Sequence, residues 1–243
     1  MRMINFAKRN FKELVRDPLS LIFEIILPLF LLFIFQQFNI PAENYRLENF
    51  TPSIVLFGFS FITLFSATLV SKDRTSSLLI RLGTSPMKSS DYILGYIFSI
   101  LPIILIQNIL FFITAIILGL EFTISIIPTI LVSMLISIFF ISLGILIGSL
   151  VSEKGTGGIG SIIVQLVCFT SGMYFPKEVV GGVFEIICKI LPFEGCLNIL
   201  QGVLHNDFSN VTFVNILVLG IYFICTILLS IYAFKKKMIS DNK

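Results

Sequence analysis

The stretch ISIIPTILVSMLISIFFISLGILIGSLV, residues 124–151, contains no charged side chain and decides the fold class of this chain. An α-helix rises ~1.5 Å per residue, so about 20 apolar residues are enough to cross the hydrocarbon core of a bilayer. A helix also satisfies its own backbone hydrogen bonds in lipid. The stretch is therefore predicted to span the membrane, and its extra length indicates tilt or a protruding end.

The rest of the sequence has the same character. Hydrophobic residues make up 56% of the 243 and charged residues only 13%, whereas about a quarter of a soluble domain is charged. Apolar runs predict an all-α membrane protein with a six-span transmembrane domain over residues 19–234. The predicted spans are residues 19–38, 52–71, 92–119, 124–151, 157–175 and 212–234.

The distribution of basic residues predicts the orientation of these spans. If the N-terminus is inside, the inner segments are 1–18, 72–91, 152–156 and 235–243, and they carry 14 of the 17 Lys and Arg residues. Cationic flanks resist transfer across a membrane. We therefore expect a multi-pass protein of the plasma membrane with both termini in the cytoplasm and a basic tail over 235–243.

The N-terminal residues 1–18 form an amphipathic pattern. On a helix the apolar side chains fall on one arc and the charged ones on the opposite arc, with Phe6 at the boundary. Asp17-Pro18 ends this helix and can open the next. The pattern favours a helix in the cytoplasmic interface, and an unordered basic flank is the alternative. The apolar arc consists of Met3, Ile4, Ala7, Phe11, Leu14 and Val15.

The segment 176–210 is too long for a simple connection between spans five and six. Its apolar pieces are short for a crossing and are separated at Leu191-Pro192, which predicts a re-entrant or external helical segment. Cys188 and Cys196 lie in this segment, and the sequence leaves open whether they form a disulfide.

Motifs for catalysis and for ligand binding are missing from the sequence. With one histidine and no G-x-x-x-x-G-K-[ST] motif, we expect no catalytic residue, metal, cofactor or nucleic-acid partner. A literal G-x-G-x-x-G at Gly155, Gly157 and Gly160 follows a span and not a strand, so it indicates a tight turn and close helix packing. Glu24 is the one acidic residue well inside a span, and a functional and a structural role remain equally open.

The loop over residues 72–91 combines basic and apolar residues. Leu78, Leu79, Ile80 and Leu82 are unusual in a loop that faces water. They must pack against the membrane surface, against this chain or against a partner.

Three motifs occur in an order that resembles the permease subunits of type-2 ABC exporters. They are Arg81-Leu82-Gly83-Thr84-Ser85-Pro86, then Asp91-Tyr92-Ile93-Leu94-Gly95, and then Ser171-Gly172-Met173-Tyr174-Phe175-Pro176 before the long external segment. The resemblance covers the whole chain. It implies that 72–91 is a coupling loop and that residues 1–18 are an interfacial connecting helix.

The resemblance also implies partners and site residues. A separate ATP-binding subunit would dock on the loop and the N-terminal helix, and a second permease copy or a sister permease would complete the pathway. The implied contacts with the ATP-binding subunit are Arg74, Ser77, Leu78, Leu79, Arg81, Leu82, Ser85 and Pro86. Candidate pathway residues are Glu24, from its position inside a span, and Thr63, Ser66, Gln165 and Thr170, from spans two and five.

By this resemblance the chain exports an amphiphilic substrate such as a drug, lipid, peptide or glycan. Three other readings remain from the residues: a non-transporting immunity or assembly protein of the same fold, an intramembrane enzyme and an ion-coupled carrier. Missing histidines disfavour the enzyme, and the lack of a charged relay inside the spans disfavours the carrier.

Overall fold

The computed structural model describes residues 2–38, 40–76, 88–174 and 181–240, and within these ranges the protein contains helices and no β-strand. The all-α prediction is confirmed. The helices are α1 (Arg2–Val15), α2 (Pro18–Gln37), α3 (Leu47–Thr75), α4 (Ser89–Ile117), α5 (Ile126–Leu150), α6 (Glu153–Thr170), α7 (Gly182–Ile190), α8 (Pro192–His205) and α9 (Phe213–Ser240).

Five of the described helices, α2 to α5 and α9, are long and apolar enough to cross a membrane. The chain is therefore a multi-pass membrane protein. Helix α6 coincides with the predicted fifth span, but it has only 18 residues and begins with Glu153 and Lys154. Four glycines in its first half lower its apolar character further. Six crossings thus remain a prediction.

Helix α3 lies at the centre of the bundle and packs against α5 on one side and α6 on the other. Glycines permit this close approach. A Cβ built on Gly144 of α5 would lie 2.5 Å from the Thr63 carbonyl oxygen, and one on Gly148 would collide with the Ala67 carbonyl. Gly160 of α6 meets the Leu64 side chain in the same way. The G-x-x-x-G spacing of Gly144 and Gly148 is typical of helices that pack in lipid.

Helix α1 ends where the sequence predicts. The carboxylate of Asp17 accepts hydrogen bonds from the Ser20 amide and hydroxyl, at 3.5 and 2.6 Å, and Pro18 occupies the first position of α2. The N-cap carboxylate accepts from an amide of the first turn, which has no partner within the helix. Proline at the first helical position costs no hydrogen bond, because the amide it lacks would have had no partner there.

Phe6, predicted at the boundary of the apolar arc, instead anchors α1 to the bundle. Its ring is 5% exposed and packs edge-on against Tyr92 and Tyr96 of α4, with centroids 5.5 and 5.0 Å away. Gly95 provides the space, because a Cβ there would lie 2.6 Å from the Phe6 ring. The apolar arc of α1 is thus only partly free, with Ile4 exposed.

The ends of the bundle differ. At one end, called the basic end here, α1 meets the last turn of α3 and the first turns of α4. The same turn of α3 also contacts the end of α5 and the start of α6. At the opposite end, the hydroxyl of Tyr45 donates to the Tyr174 carbonyl, and the amide of Gln201 donates to the Asn49 carbonyl. The first bond ties the connection after α2 to the segment after α6, and the second ties α8 to the start of α3.

The predicted segment 176–210 contains the helical pair α7 and α8, which Leu191 joins in extended conformation. Helix α8 ends at Asn206, whose positive φ of 54° closes the helix C-terminus. Cys188 and Cys196 are both buried and are not joined by a disulfide. That this segment is external or re-entrant stays a prediction.

Two stretches expected as loops are helical in the structure. Helix α3 continues through Thr75, so residues 72–75 of the predicted coupling loop form its last turn. Gly155 and Gly157 lie in the first turns of α6 and not in a tight turn before it. The α3 extension is stabilised by tertiary contacts of Asp73 and Arg74, which sequence periodicity does not reveal.

Candidate functional site

An ion pair between a partly exposed arginine and a buried aspartate joins α1 to α3 at the basic end. Arg9 binds Asp73 through two hydrogen bonds, Nη2 to Oδ1 at 2.7 Å and Nη1 to Oδ2 at 3.1 Å. The Asp73 side chain is 1% exposed, whereas that of Arg9 is 37% exposed. A paired guanidinium and carboxylate in this geometry form a charge-assisted, directional contact. The cation can therefore neutralise a carboxylate that water does not reach.

Tyr96 brings α4 into the same cluster. Its hydroxyl, fully buried, donates to Asp73 Oδ2 at 2.8 Å. The carboxylate of Glu13 in α1 forms ion pairs with Arg9 Nη2 at 2.7 Å and with Lys72 Nζ at 3.0 Å. The Arg9–Asp73 cluster, as we call these five residues, thus links α1 with both helices that flank the predicted coupling loop.

The cluster favours the charged form of Arg9 further. Burial lowers the pKa of a guanidinium, but the hydrogen bond and negative charge of Asp73, aided by Glu13, outweigh this effect and raise the pKa of Arg9 above its usual value.

Removal of one partner from a buried pair leaves an uncompensated charge, which costs several kcal/mol in dry sites. Because Arg9 is partly exposed, we expect a smaller cost here, about 2 kcal/mol.

Asn10 lies beside the pair and is completely buried. Its Oδ1 accepts from Arg9 Nη1 at 3.0 Å, and its Nδ2 has no hydrogen-bond partner in the part of the chain that the structure describes. A buried amide without an acceptor is costly. Asn10 therefore orients Arg9 at some expense of stability.

Arg74, predicted to contact an ATP-binding subunit, binds within the chain. Its Nη1 donates to the backbone carbonyls of Gly148, Ser149 and Val151 at 2.8, 2.6 and 3.3 Å. The last carbonyls of a helix have no partner within the helix, and a cation there also complements the helix dipole. Arg74 therefore caps α5 and fixes the end of α3 to it.

The other predicted contacts with an ATP-binding subunit lie outside the described residues. They are Ser77, Leu78, Leu79, Arg81, Leu82, Ser85 and Pro86. Beyond them, the Lys88 amide donates to the Asp91 carboxylate at 2.9 Å, which caps the start of α4. The structure thus describes both attachment points of the loop.

Thr63 and Ser66, two of the pathway candidates, are buried where α3 meets α5. The Thr63 hydroxyl donates to the Phe140 carbonyl at 3.0 Å, and that of Ser66 donates to the Ile62 carbonyl at 2.6 Å. They are 0% and 1% exposed. Their observed contacts are those of helix packing.

Glu24 lies in a π-helical turn, residues Ile22–Ile26, within α2 and is 3% exposed. Four residues later Pro28 lacks the amide that would donate to the Glu24 carbonyl in an α-helix. The buried side chain of Gln107 from α4 supplies that hydrogen bond, with Nε2 3.2 Å from the carbonyl oxygen. π-turns are frequent at functional sites.

Gln165 and Thr170 occupy different surfaces of α6. Gln165 is exposed on the outer face of the helix, where a polar side chain in lipid needs another polar surface. Thr170 is buried and lines a polar hollow of about 430 Å³ at the end opposite to the basic end. The five pathway candidates therefore do not form one site in this structure.

None of the five residues of the cluster was predicted as a site residue from the sequence. An acidic residue inside a strongly basic segment was the available signal for Asp73, since its neighbours Lys72 and Arg74 are cations. Among the described residues no three His, Cys, Asp or Glu side chains are grouped to hold a metal ion.

Comparison with models of protein families gives a match for this chain. The family model described as ABC-2 type transporter matches residues 3–205, which include α1 to α8. No curated protein matches the chain significantly.

Proposed function

Since the chain belongs to the ABC-2 type transporter family and is a transmembrane permease, we propose that it exports an amphiphilic substrate with energy from a separate ATP-binding subunit. That subunit would bind the loop 72–91 and helix α1. Drugs, lipids, peptides and glycans are the candidate substrates, and the residues do not choose among them.

The Arg9–Asp73 cluster is the observation that supports this mechanism best. A force applied to the loop acts on α3 at Thr75 and on α4 at Ser89, and the cluster connects both helices to α1. Arg74 extends the connection to the end of α5. Allosteric transport needs rigid levers, because packed interfaces switch between discrete arrangements and do not deform continuously. We infer that ATP-driven closure moves α1, α3 and α4 as one unit.

Orientation and assembly are part of the proposal. Clustering of cationic segments at the basic end supports a cytoplasmic location for that end and for both termini. A second permease copy or a sister permease would face this one, and Gln165 on the exposed face of α6 is a candidate for that polar interface. Thr63, Ser66, Thr170 and Glu24 remain candidates for the pathway through motions that expose them.

Binding of the ATP-binding subunit tests the proposal. Leu79→Asp places a charge in the apolar group 78–82, and we expect it to abolish copurification of the two subunits. The matched control is Val183→Asp, which changes an exposed apolar residue of α7 near the opposite end. Equal copurification of Leu79→Asp and the native chain would contradict the assignment of the coupling loop.

The same experiment separates transport from its main alternative. A non-transporting immunity or assembly protein of this fold needs no ATP-binding subunit. If the native chain assembles with no ATP-binding subunit in the cell that makes it, the non-transporting function is favoured.

A further inference from the structure

An amphipathic groove of about 1080 Å³ opens at the basic end between α1, the start of α2 and the last turns of α3. Five basic side chains line it against three carboxylates, so the groove carries excess positive charge. The basic residues are Lys8, Arg9, Lys12, Arg16 and Lys72.

The three carboxylates already have partners within the chain. Glu13 pairs with Arg9 and Lys72, and Asp17 accepts from Ser20. Glu153 accepts from the Thr75 hydroxyl at 3.2 Å.

Lys8, Lys12 and Arg16 are the cations left over. They are exposed and form no ion pair or side-chain hydrogen bond with any other described residue. The groove therefore offers three cations to an external anion.

The inner wall of the groove contains apolar side chains of the membrane-spanning helix α3 beside Thr68. It includes Leu69 and Phe65, which is ten residues before the end of α3 at Thr75 and hence roughly 15 Å along the helix. A soluble partner cannot insert that far beside a membrane-spanning helix, whereas an acyl chain lies there naturally.

The other flank of α1 is also suited to lipid chains. A second, almost wholly apolar groove of about 550 Å³ runs between α1 and α4, and Lys8 borders both grooves. The residues of this second groove are Met3, Ile4, Ala7, Phe11, Phe98 and Pro102, with Lys8 at its edge. Helix α1 therefore has cations on its crest and apolar surface on its lipid-facing flanks, as interfacial helices do.

We propose that the groove between α1 and α3 binds an anionic phospholipid. Its phosphate contacts Lys8, Lys12 and Arg16, and an acyl chain packs along Phe65 and Leu69. Each basic side chain near an anionic lipid surface adds a substantial favourable contribution, which explains the preference for an anionic over a zwitterionic head group. This proposal rests on the proposed function only for the location of the lipid, which is the cytoplasmic leaflet.

Lipid retention by the isolated permease tests this inference, and it does not depend on transport or on an ATP-binding subunit. Native mass spectrometry counts phosphatidylglycerol and phosphatidylcholine molecules that stay bound to the purified chain during stepwise delipidation. We expect phosphatidylglycerol to be retained preferentially. The double variant Lys8→Gln/Lys12→Gln should bind it about tenfold more weakly, and Lys8→Arg/Lys12→Arg should restore binding.

The control Lys235→Gln/Lys236→Gln removes the same charge from exposed positions of α9, and it should bind phosphatidylglycerol like the native chain. Equal retention of both lipids, or an equal loss in the control, would overturn the proposal. Displacement of the lipid by millimolar inorganic phosphate would identify a site for free anions instead. Unchanged lipid binding in Lys8→Gln/Lys12→Gln together with weaker binding of an ATP-binding subunit would show that the groove is a protein contact.

Discussion

Asp73 shows how a single side chain can determine where one helix ends and another is held. It is surrounded by basic residues in the sequence, yet in the structure its carboxylate is buried between Arg9 and Tyr96. Desolvation of a carboxylate is costly, so its contacts must form together or not at all. The last turn of α3 and the docking of α1 are therefore coupled.

A double-mutant cycle measures this coupling. Arg9→Gln and Asp73→Asn should each lower the thermal-unfolding midpoint of the detergent-solubilised permease by about 5 °C. The double variant should be less destabilised than the sum of the two, with a coupling of about 2 kcal/mol, because neither partner is then left charged and alone. The control cycle uses Glu185→Gln and Lys189→Gln, an ion pair within the helix α7 at 2.7 Å. For this control pair we expect a coupling energy of about 0.5 kcal/mol. Equal coupling energies in the two cycles would contradict the special role of Asp73.

The second prediction at this scale concerns Gln107 and the carbonyl that Pro28 leaves without a backbone donor. Gln107→Leu should destabilise the native chain by about 1–2 kcal/mol, because a buried acceptor loses its hydrogen bond. In a Pro28→Ala background a backbone amide becomes available to Glu24, so the same change should cost less. Thermal unfolding of the four chains checks this, and an equal cost in both backgrounds would refute it.

At the scale of elements, the glycines of α5 determine how closely α3 can be packed. A Cβ on Gly148 would collide with backbone of α3, whereas one on Gly158 of α6 meets no atom within 4 Å. Gly148→Ala should therefore destabilise the permease by about 1–3 kcal/mol through overpacking.

Gly158→Ala is the matched control, since it adds the same methyl group to a helix. It should stabilise the chain by up to ~1 kcal/mol through helix propensity. Shifts of the unfolding midpoint should therefore have opposite signs. If both variants were equally tolerated, the close packing of α3 and α5 would be wrong.

The helices themselves were largely predictable from the sequence, because apolar runs report contact with lipid. The break at Asp17-Pro18 followed from the known preferences of a helix start, and the ends of most spans fall within a few residues of the prediction. The tertiary bonds were not predictable in this way. Asp73 and Arg74 were read as loop residues, since which carboxylate or carbonyl a side chain reaches depends on neighbours far away in sequence.

The candidate site was predicted less well than the fold. Thr63 and Ser66 were selected as polar residues in a span. The Thr63 hydroxyl donates to a carbonyl of α5 and that of Ser66 to a carbonyl of its own helix, and such bonds are compatible with tight packing as well as with a pathway. The G-x-x-x-G spacing at Gly144 and Gly148 was visible in the sequence and would have indicated that α5 packs closely against another helix. Residue spacing alone does not reveal which helix is the partner.

At the scale of the whole molecule, the account rests on a mechanical connection. The basic end contains α1, both attachment points of the loop 72–91 and the end of α5, and polar contacts of Asp73 and Arg74 join them. A soluble motor that moved the loop would therefore move several helices at once. A permease without such links could bind an ATP-binding subunit and still fail to respond to it.

ATP hydrolysis by the reconstituted complex tests this most directly. The account predicts that the permease alone hydrolyses no ATP and that the assembled complex in liposomes does. In Arg9→Gln or Asp73→Asn complexes, the subunits should still copurify, but the permease-dependent ATPase rate should fall about tenfold, because 1.4 kcal/mol of lost coupling changes an equilibrium by that factor. The account would be contradicted if the ATP-binding subunit hydrolysed ATP at the same rate with and without the permease, or if complexes of the cluster variants were as active as the native complex.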